Sequence, residues 1–205
     1  MGRQLVPLTL DNLADLPSAC RGCVFWELDP VSGRSAERAG QSESEKKTWI
    51  STVLEEWGSC GRLVCVDRRP VGYVLYAPPA YVPGATAFPT SPVSRDAAQL
   101  VTARIEPGFQ QQGLGRILMQ SMAKDLLGRG IRAIEAFGDA RWEEPRCVLP
   151  AEYLLAVGFE VTRDHPAFPR LRLELRRTVS WRSDMEQALD RLLAGTKARP
   201  AFHPS

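Results

Sequence analysis

The sequence predicts an α/β domain, because strand-like and helix-like segments alternate along most of the chain. The stretch "SESEKKTWISTVLEEWG" (42–58) puts Trp49, Ile50, Val53, Leu54 and Trp57 on one helical face before Gly58 ends it. A second helix repeats the pattern with Leu114, Ile117, Leu118, Met122 and Leu126, closed by "GRG" at 128–130. Between them, "RLVCVD" and "VGYVLYA" flank "RRP" and read as an antiparallel hairpin.

In chain order, residues 4–10 read as a strand and Asp11 to Leu16 as a polar helix start, followed by a mixed segment, 18–28. Residues 29–40 read as a polar connection before the first long helix. Pro78 to Pro92 is a proline-rich loop carrying Tyr81 and Phe88, either as gates of an acceptor site or as loop anchors. "AAQLVTARIEP" (97–107) is a strand stopped by Pro107, and "IRAIEAF" (131–137) alternates as another. A polar loop (138–147) leads to a short helix from Pro150 to Val157, and "GFEVTR" and "RLRLELRR" read as closing strands. In the last of these, Leu171, Leu173 and Leu175 alternate with Arg172, Glu174 and Arg176, the pattern of a half-exposed strand.

A length of 205 residues suits one domain, expected over 1–180, with an extension over 181–205. In that extension Ser183 and Glu186 form a capping box, and Met185, Leu189 and Leu192 a stripe that covers the sheet or forms a homodimer contact. The last ten residues are expected to be disordered. A formal charge of +2 gives no case for nucleic acid or membrane partners. Acidic residues come too early for a secretory signal, so a cytoplasmic location is expected. Five cysteines, an odd number, argue against a structural disulfide framework. Cys20 and Cys23 lack a second pair to complete a zinc site, so no metal is expected. They read as half-buried residues, as a redox pair, or as part of the wall of a substrate cleft.

The segment "FQQQGLGRILM" (109–119) sets two glycines at the start of a helix, where each costs about 1 kcal/mol relative to alanine. Backbone N–H groups at a helix start are unpaired and favour anions, and glycine lets a phosphate come close. Walker and dinucleotide loops do not fit, since Gly-Lys-Ser/Thr is absent and Leu118 stands where a third glycine would be needed. A tight strand-to-helix turn is the plain alternative.

Gln110-x-x-Gly113-x-Gly115, between a strand and a helix, resembles the signature of the GNAT superfamily of acetyl-CoA-dependent N-acyltransferases. The resemblance covers residues 100–177. It implies a mixed, splayed central β-sheet flanked by helices in a single domain, with acetyl-CoA as cosubstrate and an amine, of a small molecule or a protein, as acceptor. It further implies that the loop from Gln110 through Gln111, Gln112, Gly113, Leu114 and Gly115 to Arg116 holds the pyrophosphate. The strand Leu100, Val101, Thr102, Ala103 would pair with the pantetheine amides.

Transfer by direct attack in a ternary complex needs a neutral amine, an oxyanion donor and a proton for the leaving thiolate. The oxyanion donor is expected at a backbone N–H near Thr102 or Ala103. Where histone-type members carry a glutamate base, this chain has Gln99, which cannot accept a proton. Leu154 stands at the usual tyrosine acid, with Tyr153 beside it, and Cys147 replaces a common asparagine. Tyr153 and Cys147 are therefore the candidate proton donors, and Glu135, on the adjacent strand, the candidate base. The alternative is a non-catalytic acyl-CoA sensor or interaction protein with the same fold.

Overall fold

The computed structural model describes residues 2–142 and 147–175. The N-terminal strand β1 (Arg3–Pro7) is followed by a single 3-10 turn at Leu13–Asp15, not a helix, and then by α1 (Ser18–Arg21), α2 (Pro30–Arg38) and α3 (Ser42–Trp57). The hairpin is β2 (Gly61–Val66) and β3 (Arg69–Ala77). After the proline-rich loop come β4 (Ala97–Ile105), α4 (Leu114–Gly128) and β5 (Ala133–Asp139). A two-residue strand β6 (Leu149–Pro150), α5 (Ala151–Ala156), β7 (Glu160–Arg163) and β8 (Arg170–Glu174) complete the described chain. The capped helix expected from Ser183, and the 180/181 boundary, lie outside the described residues.

Eight strands form one sheet in the order β1-β2-β3-β4-β5-β8-β7, with β6 paired to β5. All neighbours are antiparallel except β4 with β5 and β5 with β6. Parallel pairing of β4 and β5 lasts for only three register pairs, Ala97↔Ala133 to Gln99↔Glu135. From Leu100 onward the β5-facing edge of β4 has no strand partner among the described residues, and the two strands part. A register shift beside Leu75 and Tyr76 leaves Val101 as a bulge on β4 close to that split.

Alternation along the strands feeds two cores. Tyr73, Leu75 and Phe137 join Trp26, Trp49 and Ile50 beneath α1–α3. Val74, Tyr76 and Ile134 pack on the opposite face against Leu118, Met122 and Leu126 of α4. Residues 29–40, expected to be a connection, contain α2. The Asp29 carboxylate accepts the Val31 and Ser32 N–H groups (2.9 and 3.2 Å), and Pro30 fills the first turn.

Tyr81 and Phe88 turn out to be anchors. The Tyr81 hydroxyl donates to Glu56 (2.7 Å), and Phe88 stacks on both Trp26 and Phe137, which also stack on each other. On β8, Leu171 and Leu173 are buried while Arg172 and Glu174 stay half-buried. No helix among the described residues is long and apolar enough to cross a membrane.

Candidate active site

Both puzzling glycines have separate geometric causes. Gly113 caps α4 at φ +77°, a left-handed conformation that side chains with a Cβ rarely adopt. Gly115 has no such backbone; a Cβ there would sit 3.0 Å from the Tyr153 hydroxyl. The loop is stitched by its glutamines, Gln110 Nε2 donating to Ile105 O (3.2 Å) and Gln112 Nε2 to Gly108 O (3.4 Å). α4 has no side-chain cap, and the backbone N–H groups of 112–115 meet no acceptor among the described residues. Such a helix start is suited to an anion.

A cavity of about 750 Å³ runs from this loop along the end of β4, past β6, to α1 and α3. Gln110, Gln111, Gly113, Leu114 and Gly115 line its outer end, and Thr102 and Ala103 line one wall. Gln112 and Arg116 are outside the lining, and Leu100 and Val101 bury their side chains in the two cores. Tyr153 faces the cavity, whereas Leu154, at the position usually held by tyrosine, is fully buried in the α4-side core. The one-residue offset therefore brings the phenol to the cavity. Burial raises the pKa of Tyr153, so it stays protonated at neutral pH.

The inner end is built by α1, the following segment, and α3. Cys20, Cys23, Glu27, Lys46, Tyr73 and Cys147 meet there. Lys46 Nζ is ion-paired with Glu27, both almost fully buried, and also donates to Cys23 O (3.0 Å). Trp26 Nε1 donates to Cys147 O (2.9 Å). The Cys23 and Cys147 sulfurs are 2.9 Å apart. Their hydrogen bond, outweighing burial, lowers the Cys23 thiol from 9.0 to about 7. The same bond, together with burial, raises Cys147, which remains the thiol. Either sulfur can donate in this contact.

The sequence reading of Cys20 and Cys23 as cleft-lining residues matches their positions, but Cys23 is paired with Cys147 rather than with Cys20. Glu27 and Lys46 were missed. The available signal was Lys46 itself, which shares the helical face of Trp49, Ile50 and Val53 and is buried with them. A lysine in such a stripe requires a buried partner.

Glu135 must be corrected as the candidate base. It is 1% exposed, outside the cavity lining, and held by Arg172 Nη1 (2.9 Å), Arg170 Nε (3.3 Å) and the Ser94 N–H (3.1 Å). A carboxylate between two arginines ties β5 to β8 and is neither solvated nor poised for a substrate. Its register partner Gln99 is also fully buried, and neither of its amide atoms has a hydrogen-bond partner among the described residues. Glu135→Gln is expected to lower stability by about 3 kcal/mol, the low end for a broken buried pair. A shifted urea midpoint would show it; an unchanged midpoint with a kcat about 10²-fold lower would restore Glu135 as a base.

Among the described residues, no group of three or more His, Cys, Asp or Glu could hold a metal ion. The model of the acetyltransferase (GNAT) family matches residues 25–144. No curated protein matches the chain. PaiA N-acetyltransferase from Thermoplasma acidophilum, solved in complex with coenzyme A, is similar in fold, with TM-score 0.56 and 13% identity over 85% of this chain and 99% of that one. YncA from Salmonella typhimurium, solved with its cofactor acetyl-CoA, gives TM-score 0.56 and 12% identity over 85% and 95%. The ribosomal-protein-S18-alanine N-acetyltransferase from Escherichia coli gives TM-score 0.50 and 16% identity over 85% and 94%.

Proposed function

Because the chain belongs to the GNAT acetyltransferase family, we propose that it transfers an acetyl group from acetyl-CoA to an amine by direct attack within a ternary complex. One observation carries this reading: one cavity joins the uncapped start of α4 to the thiol and ion-pair cluster built by α1, the segment after it, and α3. Bound acetyl-CoA supplies an activated thioester. The N–H groups from Gln112 to Gly115, within the loop Gln110 to Arg116, hold its pyrophosphate, with Gly113 and Gly115 keeping that surface open. The free edge of β4, from Leu100 to Ala103, offers backbone groups to the pantetheine arm and an N–H to the developing oxyanion.

The amine, of a small molecule or of a protein, enters from the inner end. Cys23 accepts its proton, being a thiolate near neutral pH and facing the cavity. Cys147 steadies that thiolate by its hydrogen bond. Tyr153 donates a proton to the departing sulfur, and positioning of the two substrates supplies much of the rate.

Turnover of acetyl-CoA over a panel of polyamines, amino acids and peptide N-termini tests the proposal. Release of CoA above background with at least one amine is expected, and release with none would leave only an acyl-CoA binder. In the same preparation, Gly113→Glu should abolish CoA binding by calorimetry, since it sets an anion at the phosphate cradle. An unchanged affinity would remove the loop from the site.

A further inference from the structure

The sulfurs of Cys23 and Cys147 are separated by 124 residues in sequence and by 2.9 Å in space. A disulfide bond needs about 2.05 Å, so closure asks for roughly 1 Å of movement. Both backbones are already braced for it. Lys46 holds the Cys23 carbonyl (3.0 Å) and the Trp26 indole holds the Cys147 carbonyl (2.9 Å). The pair also lines an open cavity, which admits a small oxidant. The other thiols are less suited. Cys60 and Cys65 are buried, and burial pushes the Cys60 thiol up to about 12. Cys20 shares the cavity, but the sulfur that lies within hydrogen-bonding distance of Cys23 is that of Cys147.

We propose that Cys23 and Cys147 are a reversible oxidation site, at which a hydroperoxide closes a disulfide across the inner end of the cavity. The chemistry has two displacements. The Cys23 thiolate attacks a peroxide oxygen, an S–O bond forms, the O–O bond breaks, and hydroxide leaves to be protonated to water. The Cys147 sulfur then attacks the resulting sulfenic acid, the S–S bond forms, and the S–O bond breaks. The Cys147 proton departs with that hydroxyl as a second water. Two thiols and one hydrogen peroxide thus give one disulfide and two waters. An external dithiol reverses the bond by exchange.

The effect on transfer rests on the function proposed above: the disulfide removes the Cys23 thiolate and fixes the wall the amine must pass. The disulfide itself does not depend on that function. Reduced full-length protein is treated with near-equimolar hydrogen peroxide, its remaining thiols are alkylated, and its peptides are mapped by mass spectrometry. A Cys23–Cys147 bond that dithiothreitol reverses is expected, with acetyl transfer falling about 10²-fold and returning on reduction. In Cys147→Ala no such bond forms, and Cys23 is captured as its sulfenic acid by a 1,3-diketone probe. A Cys20–Cys23 bond, or both thiols remaining alkylatable, would overturn the proposal. A Cys23–Cys147 bond in a protein that transfers no acetyl group even when reduced would support the oxidation site and reject only the transfer function.

Discussion

Tyr153→Phe is expected to lower kcat about 10²-fold, the low end for loss of a general acid, with little change in the KM for acetyl-CoA. The phenol faces the cavity within reach of Gly115, while Leu154 turns into the core, so only Tyr153 can present a donor from α5. Burial raises its pKa and keeps the donor form through the neutral range. Phenylalanine fills the same space and removes only the hydroxyl, which separates chemistry from packing. A group acting on the leaving sulfur should also slow every amine by the same factor, whatever the basicity of that amine. In the proposed mechanism, the acid side of the pH profile belongs to Cys23. With a pKa of about 7, kcat/KM should rise as the pH passes through that value, because only the thiolate accepts a proton. Cys23→Ser should lose that limb, and Tyr153→Phe should keep it. If Tyr153→Phe retains the full kcat, water or the thiol cluster protonates the leaving group instead.

The parts legible in the sequence were those written in local pattern. The stripes of α3 and α4 and the alternation of β2, β3 and β5 depend on neighbours three or four, or two, positions away. The glycine pair was legible as a strand-to-helix turn, although its two causes were not. The φ of Gly113 is local, whereas the closeness of Tyr153 to Gly115 depends on packing across 38 residues of sequence, from 115 to 153. The helix α2 was missed although the Asp29-Pro30 start was visible, because a largely polar stretch was read as a connection. Glu135 could not be placed from sequence, since what fixes it are Arg170 and Arg172 on a strand that pairs with β5 from 37 positions away. The same limit hid the union of Cys23 with Cys147. Spacing suggested Cys20 as the partner, and tertiary contact selected another.

Lys46→Met should destabilise the fold by about 3–5 kcal/mol, the range for breaking a buried ion pair by removing one partner. That is a large share of the roughly 5–15 kcal/mol available to a domain. The lysine and Glu27 side chains are 4% and 1% exposed, so solvent cannot replace the lost partner. Methionine restores most of the stem's packing against the Trp49 side of α3 but leaves the Glu27 carboxylate without its cation. It also frees the Cys23 carbonyl, which Lys46 holds at 3.0 Å. Pairing it with Glu27→Gln should recover much of the loss, because the stranded charge disappears, and a double-mutant cycle then isolates the pair. Denaturant midpoints of the two single variants and the double variant read this directly. If both single variants unfold at the wild-type midpoint, the pair holds nothing together, and its place in the cavity wall has to be explained by contact with the acceptor.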